Sequence, residues 1–485
     1  MSDQNRSDRA EPSGSSDDVG ADGGRALDEG AIWKALLVMA GPMVFGIAAI
    51  KSVSMIDTLY VGQLGQDPLA ALSFAFPVTA VVLGLSLGLS IAASSVVSRA
   101  VGENENENAR AMSLHVMILA ILIMGAVSLI GLVVTEPLFE AMGAAEDTLG
   151  LIKGYMRLWF IAVPFMAVAM MCDFIVRATG NSLWPSIIMT VGSLFNIAIT
   201  ALLVFGLWGL PELGINGAAA GTLIAQVLTA MAGIWMVTWK TGMIAWSVPK
   251  LDRMIPTWID TAKVAVPAAL GKIAPPFALT AVTAILATFS EEIVAAFGVA
   301  TQVQLIAFIP LLALSAAISP IAGQNWGAGK TDRIVKTLKE SYWLCTVWAG
   351  LVAVPLWMFG ADLAGLFNSD NDIPAEAQTY LRIVPFSLFG YGMVICAASA
   401  FNGIDEAKRA LGYNVARSLI LLLPLSWIGS LWADATGVYA GIAAANVLSG
   451  LAVGWYAIRW LNRKCEGENA RKDAQNNCDH LVAAK

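Results

Sequence analysis

One acidic residue, Asp57, lies inside an apolar stretch that is long enough to cross a membrane. The stretch spans residues 32–65 and also contains Lys51 and Pro42. A charged side chain inside a membrane-spanning helix is costly to bury, so it is a candidate functional residue by default. A carboxyl group in such a place can take up and release a proton. We therefore predict that Asp57 is the centre of the protein's mechanism.

A static ion pair is the alternative interpretation of Asp57. Lys51, a lysine in the same stretch, lies six residues earlier in the chain. At 3.6 residues per turn, this spacing is about 240° around a helix, which is a poor position for a direct bond. Pro42 removes a backbone hydrogen bond, and it gives the same helix a place to bend.

The helices that must position Asp57 are predicted from composition and hydropathy. Hydrophobic residues make up 57% of the chain and charged residues only 13%, whereas a soluble domain has about 25% charged residues. Apolar runs of about 20 residues, the length of a spanning helix, recur along the chain. We therefore predict an all-α membrane protein with twelve transmembrane helices. The predicted spans are residues 32–62, 69–100, 109–135, 150–177, 184–208, 214–240, 257–289, 294–324, 333–360, 376–402, 408–432 and 437–462.

Positive charge is unevenly distributed among the short loops between these spans. Arg99 and Arg110 flank the loop after the second span, and the other loops after even-numbered spans also hold lysine or arginine. Loops 63–68 and 433–436, which follow odd-numbered spans, have neither. Since cytoplasmic loops carry the excess of positive residues, we predict a multi-pass protein of the cell membrane with both termini in the cytoplasm.

The second half of the chain repeats the pattern of the first half. The constant offset that places Pro42 on Pro267 also places Gly102 on Gly327, and we name this offset the repeat shift. Six plus six spans in the same orientation form a parallel repeat, which is typical of transporters that rock two bundles around a central cavity. The predicted domains are a disordered acidic cytoplasmic tail (1–31), a first six-helix lobe (32–240), a cytoplasmic loop (241–256), a second six-helix lobe (257–463) and a cytoplasmic tail (464–485).

The residue types that hold metals or perform catalysis are scattered. The five cysteines have no metal-ligand spacing, and His115 and His480 are far apart in the sequence. No nucleophile, base or metal set is clustered within the spans. We therefore expect no enzyme activity, no metal site, no cofactor other than a coupling ion and no nucleic-acid partner. We expect the protein to act as a monomer in the lipid bilayer.

Several motifs in order along the chain resemble those of one transporter family. Asp57-Thr58 ends the first span, and the remaining motifs agree in order and spacing with the twelve predicted spans. These motifs are residues 69–73, 98–102, 177–181, 192–196, 212–219, 298–310 and 319–333. In combination they resemble the multidrug and toxic compound extrusion (MATE) family, and most of all its prokaryotic DNA-damage-inducible-like branch.

The resemblance implies an antiporter that exports organic, often cationic and amphipathic compounds in exchange for H⁺ or Na⁺. In this branch an Asp in the first span matches Asp57, a proline fifteen residues earlier matches Pro42, and an Asn in the fifth span matches Asn196. The family often has a second Asp four residues after that Asn, where this chain has Thr200. One carboxylate fewer weakens a hard-cation site, so proton coupling is favoured over sodium coupling.

We expect protonation of Asp57 to expel the substrate, because a ligand cation and a proton would compete for one carboxylate. Four other polar residues inside the spans are candidates for lining the cavity, or for ordinary helix–helix hydrogen bonds and snorkelling. They are Lys51, Thr222, Gln226 and Lys272. The alternative function is a lipid-linked saccharide flippase of the same superfamily, which the resemblance associates with about fourteen spans and a more cationic cavity.

Overall fold

A computed structural model describes residues 27–244, 251–365 and 372–483. Most of the predicted acidic tail and part of the predicted loop 241–256 therefore lie outside the described residues. Every long element within those ranges is a helix. The helices are α1 (Ile32–Gln63), α2 (Gln66–Gly102), α3 (Asn106–Ala141), α4 (Glu146–Ala178), α5 (Leu183–Phe205), α6 (Ile215–Trp235), α7 (Leu251–Leu286), α8 (Glu291–Gly327), α9 (Thr331–Gly365), α10 (Asp372–Ile383), α11 (Leu388–Gly403), α12 (Ala407–Val415) and α13 (Leu423–Ala483).

Eleven helical segments in the described part of the chain are long and apolar enough to cross a membrane. The prediction of an all-α membrane protein is therefore confirmed. One of the eleven joins α10 and α11 across a short 3₁₀ turn at Pro385–Ser387. α1 is continuous through Pro42, so the predicted bending point lies within an unbroken helix here.

The last of the eleven segments, Ala407–Gly467, is folded back on itself. Its backbone leaves helical geometry at Ala433 and Asp434, where the predicted loop 433–436 begins. A Cβ atom built on Gly429 would collide with the carbonyl oxygen of Gly437, and one built on Gly437 would collide with that of Gly429. In a straight helix, residues eight apart are separated by about 12 Å along the axis. The two arms of this segment therefore pack backbone to backbone, which only glycine allows at these positions.

The chain ends differ from the predicted boundaries. Disorder was expected through residue 31, but residues 27–30 form a turn, and Leu27 is only 3% exposed. The backbone of α13 continues as a helix to Ala483, through most of the predicted tail 464–485. Residues 27–30 are therefore structured although they lie in the predicted disordered tail, and the predicted tail 464–485 begins within α13.

The buried apolar side chains form two clusters. The first-half cluster holds α2 to α6 and the second-half cluster holds α8 to α13. α1 and α7 cross between them: Met39 belongs to the second-half cluster and Val61 to the first, whereas Val264 belongs to the first-half cluster and Val282 to the second. A movement of α1 or α7 would therefore change the packing of both clusters.

Candidate functional site

A cavity of about 470 Å³ lies between the two halves of the chain. This volume lies within the usual range of small-molecule sites. Helices α1, α2, α4 to α8, α11 and α12 line it, and most of the lining side chains are apolar. Methionine supplies an adaptable, polarisable surface for flat or irregular ligands. The methionines in the wall are Met43, Met166, Met170, Met189 and Met236.

Four charged residues line this cavity. Asp173 and Arg177 form an ion pair one helical turn apart, and the Arg177 guanidinium also lies 3.9 Å from the ring of Phe174. Lys51 on α1 and Lys272 on α7 are exposed to the cavity and have no ion pair or hydrogen bond within the described residues. Three cations and one anion give the wall a net charge of +2.

The other predicted cavity residues divide into two groups. Asn196 and Gln226 line the cavity, as Lys51 and Lys272 do. Thr222 and Pro42 are not among the lining residues, although Met43, next to Pro42, is. The structure therefore brings four of the predicted polar residues to the cavity. Whether a residue lines the cavity depends on the direction in which its side chain leaves the helix.

α1 and α5 run side by side in the same direction. Near the start of both helices, the Ser182 hydroxyl donates a hydrogen bond of 3.2 Å to the carbonyl of Val38. Near their other ends, the rings of Tyr60 and Phe205 lie 5.6 Å apart. Residues between these two contacts therefore lie at matching depths on the two helices.

Asp57 lies at the depth of Thr200, beyond the cavity wall. The Thr200 hydroxyl donates a hydrogen bond of 3.1 Å to Oδ1 of Asn196, whereas Asp57 is not among the lining residues and bonds to neither of these two within the described chain. Its Oδ1 atom is buried without a hydrogen-bond partner. Tyr155 on α4 is close enough to interact with the charge of Asp57.

A second buried oxygen without a partner lies close to this region. The side chain of Asn216 fills the space above Gly154, the neighbour of Tyr155, and its Oδ1 atom has no hydrogen-bond partner among the described residues. Buried polar atoms are nearly always satisfied, so two orphaned oxygens in one region need a physical reason. A proton on Asp57, or a small cation, would satisfy such oxygens.

Sequence reasoning missed one buried charge, Arg417. It is 8% exposed and lies in the π-helical turn Ala416–Leu422. Its Nε and Nη2 atoms donate to Oδ1 of Asn446, at 3.0 and 2.8 Å, and its guanidinium lies 3.9 Å from the ring of Tyr391. No carboxylate pairs with it within the described residues. Like Asp57, Arg417 is a charged residue inside an apolar run, and that signal is present in the sequence.

The described residues contain no group of three or more His, Cys, Asp or Glu side chains that could hold a metal ion.

Comparison with known proteins identifies the family. A sequence model of the MatE family matches residues 42–202 and 267–428, about two thirds of the chain. The first match begins at Pro42 and the second at Pro267, so the two matches are related by the repeat shift.

Individual relatives cover nearly the whole chain. One is a protein named FAD transporter from Shewanella oneidensis, which is 32% identical over 88% of this chain and 95% of its own length. Another is the multidrug export protein MepA of Staphylococcus aureus, which is 22% identical over 88% of this chain and 93% of its own. The fold is similar to that of the Vibrio cholerae MATE transporter VcmN in its bent form, with a TM-score of 0.82, 27% identity and coverage of 89% and 97%. This chain belongs to the MatE family, whose members are transporters and not enzymes.

Proposed function

We propose that this chain is a secondary active exporter with twelve transmembrane helices in two six-helix lobes. The family match and the doubled-back segment Ala407–Gly467 support this arrangement. The first lobe would span residues 32–240 and the second 257–463, with the cavity between them. The lysine and arginine residues of the loops favour a cytoplasmic position for both termini under the positive-inside rule. The aspartate of α1, Asp57, supports membership of the DNA-damage-inducible-like branch.

The substrate we propose is an organic anion with a flat ring system, and the charge of the cavity carries this proposal. Lys51 and Lys272 are basic, exposed to the cavity and free of any carboxylate partner in the described chain, while Asp173 is paired with Arg177. A cation entering this cavity would meet a net charge of +2, whereas an anion would find two ammonium groups on opposite lobes. The preference for cationic substrates, expected from the resemblance, is therefore replaced by a preference for anions.

The name of one relative points to the same chemistry. The Shewanella oneidensis protein is named a FAD transporter, and FAD combines two phosphates with two flat ring systems. In this chain the ammonium groups would hold the phosphates, and the methionine-rich wall would contact the rings, since sulfur makes favourable contacts with aromatic edges. We propose that FAD or a similar phosphate-bearing aromatic compound is exported.

Export would be coupled to proton entry through Asp57. Because Asp57 does not reach the cavity wall, direct competition between substrate and proton for its carboxylate is not the mechanism that we favour. Asp57 and Lys51 lie on the same helix, six residues or about 9 Å apart along its axis. Protonation would turn the carboxylate into a hydrogen-bond donor that could bond to Asn196 or Thr200, and the new bond would shift α1 together with Lys51.

A lipid-linked saccharide flippase remains the second candidate, because its phosphate-bearing substrate would also suit a cationic cavity. The MatE match in both halves and the count of eleven candidate spans in the described chain, one of them doubled back, favour the exporter.

The test uses purified protein in liposomes with FAD outside and a pH gradient or a Na⁺ gradient imposed separately. An acidic lumen should drive FAD uptake, measured by flavin fluorescence after external FAD is removed. Lys51→Gln and Lys272→Gln should each weaken apparent affinity by about 10- to 100-fold, since each removes a charged hydrogen bond worth about 1.5–3 kcal/mol. Lys263→Gln, whose side chain forms an exposed ion pair with Asp260 on α7, is the matched control.

Uptake of an organic cation in place of FAD, or unchanged FAD affinity in both lysine variants, would refute the anion proposal. Uptake driven only by Na⁺ would refute proton coupling. Movement of a fluorescent lipid-linked saccharide without any ion gradient would establish the flippase.

A further inference from the structure

The two halves of the chain meet where α2 and α8 end, and we name this contact the seam. A Cβ atom built on Gly102 would collide with the carbonyl oxygen of Gln324, and one built on Gly327 would collide with that of Arg99. The repeat shift relates Gly102 to Gly327 and Arg99 to Gln324. The seam is therefore a pseudo-symmetric contact of two backbones, with no room for a side chain at either glycine.

Arg99 and Gln324 each also make one side-chain contact across the seam. We name these two contacts the latches: the Arg99 ion pair is the charged latch and the Gln324 hydrogen bond is the neutral latch. Arg99 Nη1 lies 3.1 Å from Oδ2 of Asp405, in the turn after α11. Gln324 Nε2 donates a hydrogen bond of 2.7 Å to the carbonyl of Ala178, at the end of α4. The ion pair is partly exposed, whereas Gln324 is 2% exposed. The neutral latch is therefore better protected from competition by water.

The neutral latch is connected to the segment that precedes α1. The backbone N–H of Leu27 donates a hydrogen bond of 2.9 Å to Oε1 of Gln324, so both ends of this amide are occupied. Nδ2 of Asn325 donates to the carbonyl of Leu27 at 3.2 Å. The contacts with Leu27, just before α1, thus fix the position of the Gln324 side chain.

The residues Leu27–Gly30, which we name the clasp, are held by the turn between α8 and α9. Lys330 Nζ lies 2.5 Å from Oδ2 of Asp28. Arg333 donates hydrogen bonds of 3.0 Å to the carbonyls of Gly30 and Glu29. Because α1 begins two residues after Gly30, a displacement of α1 pulls directly on the clasp.

We propose that the clasp controls the opening of the seam. With Oε1 of Gln324 held by Leu27, Nε2 is directed at Ala178 and the two halves stay latched. When the clasp is displaced, the amide is free to rotate and the neutral latch is lost. The clasp thereby connects α1, the helix of Lys51 and Asp57, to the contact that closes the cavity at one end. The proposal depends on the seam geometry and holds whatever the substrate is.

The experiment measures the distance between spin labels across the seam in full-length protein in lipid nanodiscs. The labels are attached at Glu107→Cys and Lys336→Cys, exposed sites on the two halves. Cys172, Cys345, Cys396 and Cys465 are buried and stay in place, and Cys478 is replaced by Ser. Asp28→Asn should raise the population with the longer distance by about fivefold, the effect of losing about one hydrogen bond. Gln324→Ala should raise it further. Glu136→Gln, which breaks the ion pair of α3 with Lys153 on α4 away from the seam, should leave it unchanged.

Two further variants separate the clasp from general loss of stability. Gln324→Glu keeps an acceptor for Leu27 but loses the donor to Ala178, and it should open the seam as Gln324→Ala does. The exchange Asp28→Lys with Lys330→Asp should return the distances to those of the unmodified protein. The proposal fails if Gln324→Ala leaves the distances unchanged. It also fails if Asp28→Asn has no effect or if the exchange does not restore the closed distance.

Discussion

The two halves of the chain carry opposite charges inside apolar helices, Asp57 and Arg417, at positions that the repeat does not share. The first half has Asp57 on α1, and the repeat shift places Val282, which is fully buried, at the equivalent position. The second half has Arg417, and its equivalent in the first half is Gly192 in the cavity wall. A carboxyl group exchanges a proton readily, whereas a guanidinium stays charged in proteins. We therefore propose that ion coupling belongs to the first half, while the second half supplies a fixed positive charge.

The largest effect is expected from Asp57→Asn, which removes the exchangeable proton and leaves a side chain of nearly the same shape. Accumulation of FAD in acid-loaded liposomes should fall more than tenfold, to the level without a gradient, while FAD binding changes little. Asp67→Asn, an exposed acid at the start of α2, is the control. Normal pH-driven accumulation in Asp57→Asn would remove the functional difference between the halves.

The matching test in the second half is Arg417→Leu. Asn446 would lose two hydrogen bonds from a charged donor, so we expect a loss of about 2–4 kcal/mol of stability, seen as a melting temperature several degrees lower. The ratio of pH-driven to undriven transport should stay as in the unmodified protein. A changed ratio would mean that coupling extends into the second half.

The prolines related by the repeat sharpen the comparison. Pro42→Ala should stiffen the helix of Asp57 and slow transport a few-fold with unchanged substrate affinity. Pro267, at the equivalent position of α7, lines the cavity. Pro267→Ala should therefore alter substrate affinity more than the transport rate. Steady-state transport at several FAD concentrations separates the two quantities, and equal effects from both variants would contradict the assignment.

The smallest expected effect is a gain. Thr200→Asp keeps the side-chain size and adds a second carboxylate beside Asn196, so oxygen ligands for a hard cation would increase. A Na⁺ gradient should then stimulate transport about twofold where it has little effect on the unmodified protein. Thr200→Val, without the added oxygen, should give no Na⁺ response.

The helices could be predicted because their length and hydropathy are local properties. The predicted loop 433–436 likewise coincides with the break in helical geometry at Ala433 and Asp434. The charge of the cavity could not be predicted, because Lys51 and Lys272 lie in different halves of the sequence. Only the packing of the helices brings them to one cavity. Asp57 was identified by its cost of burial, but its depth relative to the cavity wall depends on the contact of α1 with α5. The clasp was missed because its polar composition resembles that of a disordered tail.

The facing glycines of the seam also limit how a duplicated gene can change. Each of Gly102 and Gly327 lies against a carbonyl supplied by the other copy of the repeat. The two copies could therefore diverge freely at Asp57 and Arg417, where each charge is surrounded by its own half. At the seam, a substitution in one copy would need a compensating substitution in the other, so we expect the two copies to change together there.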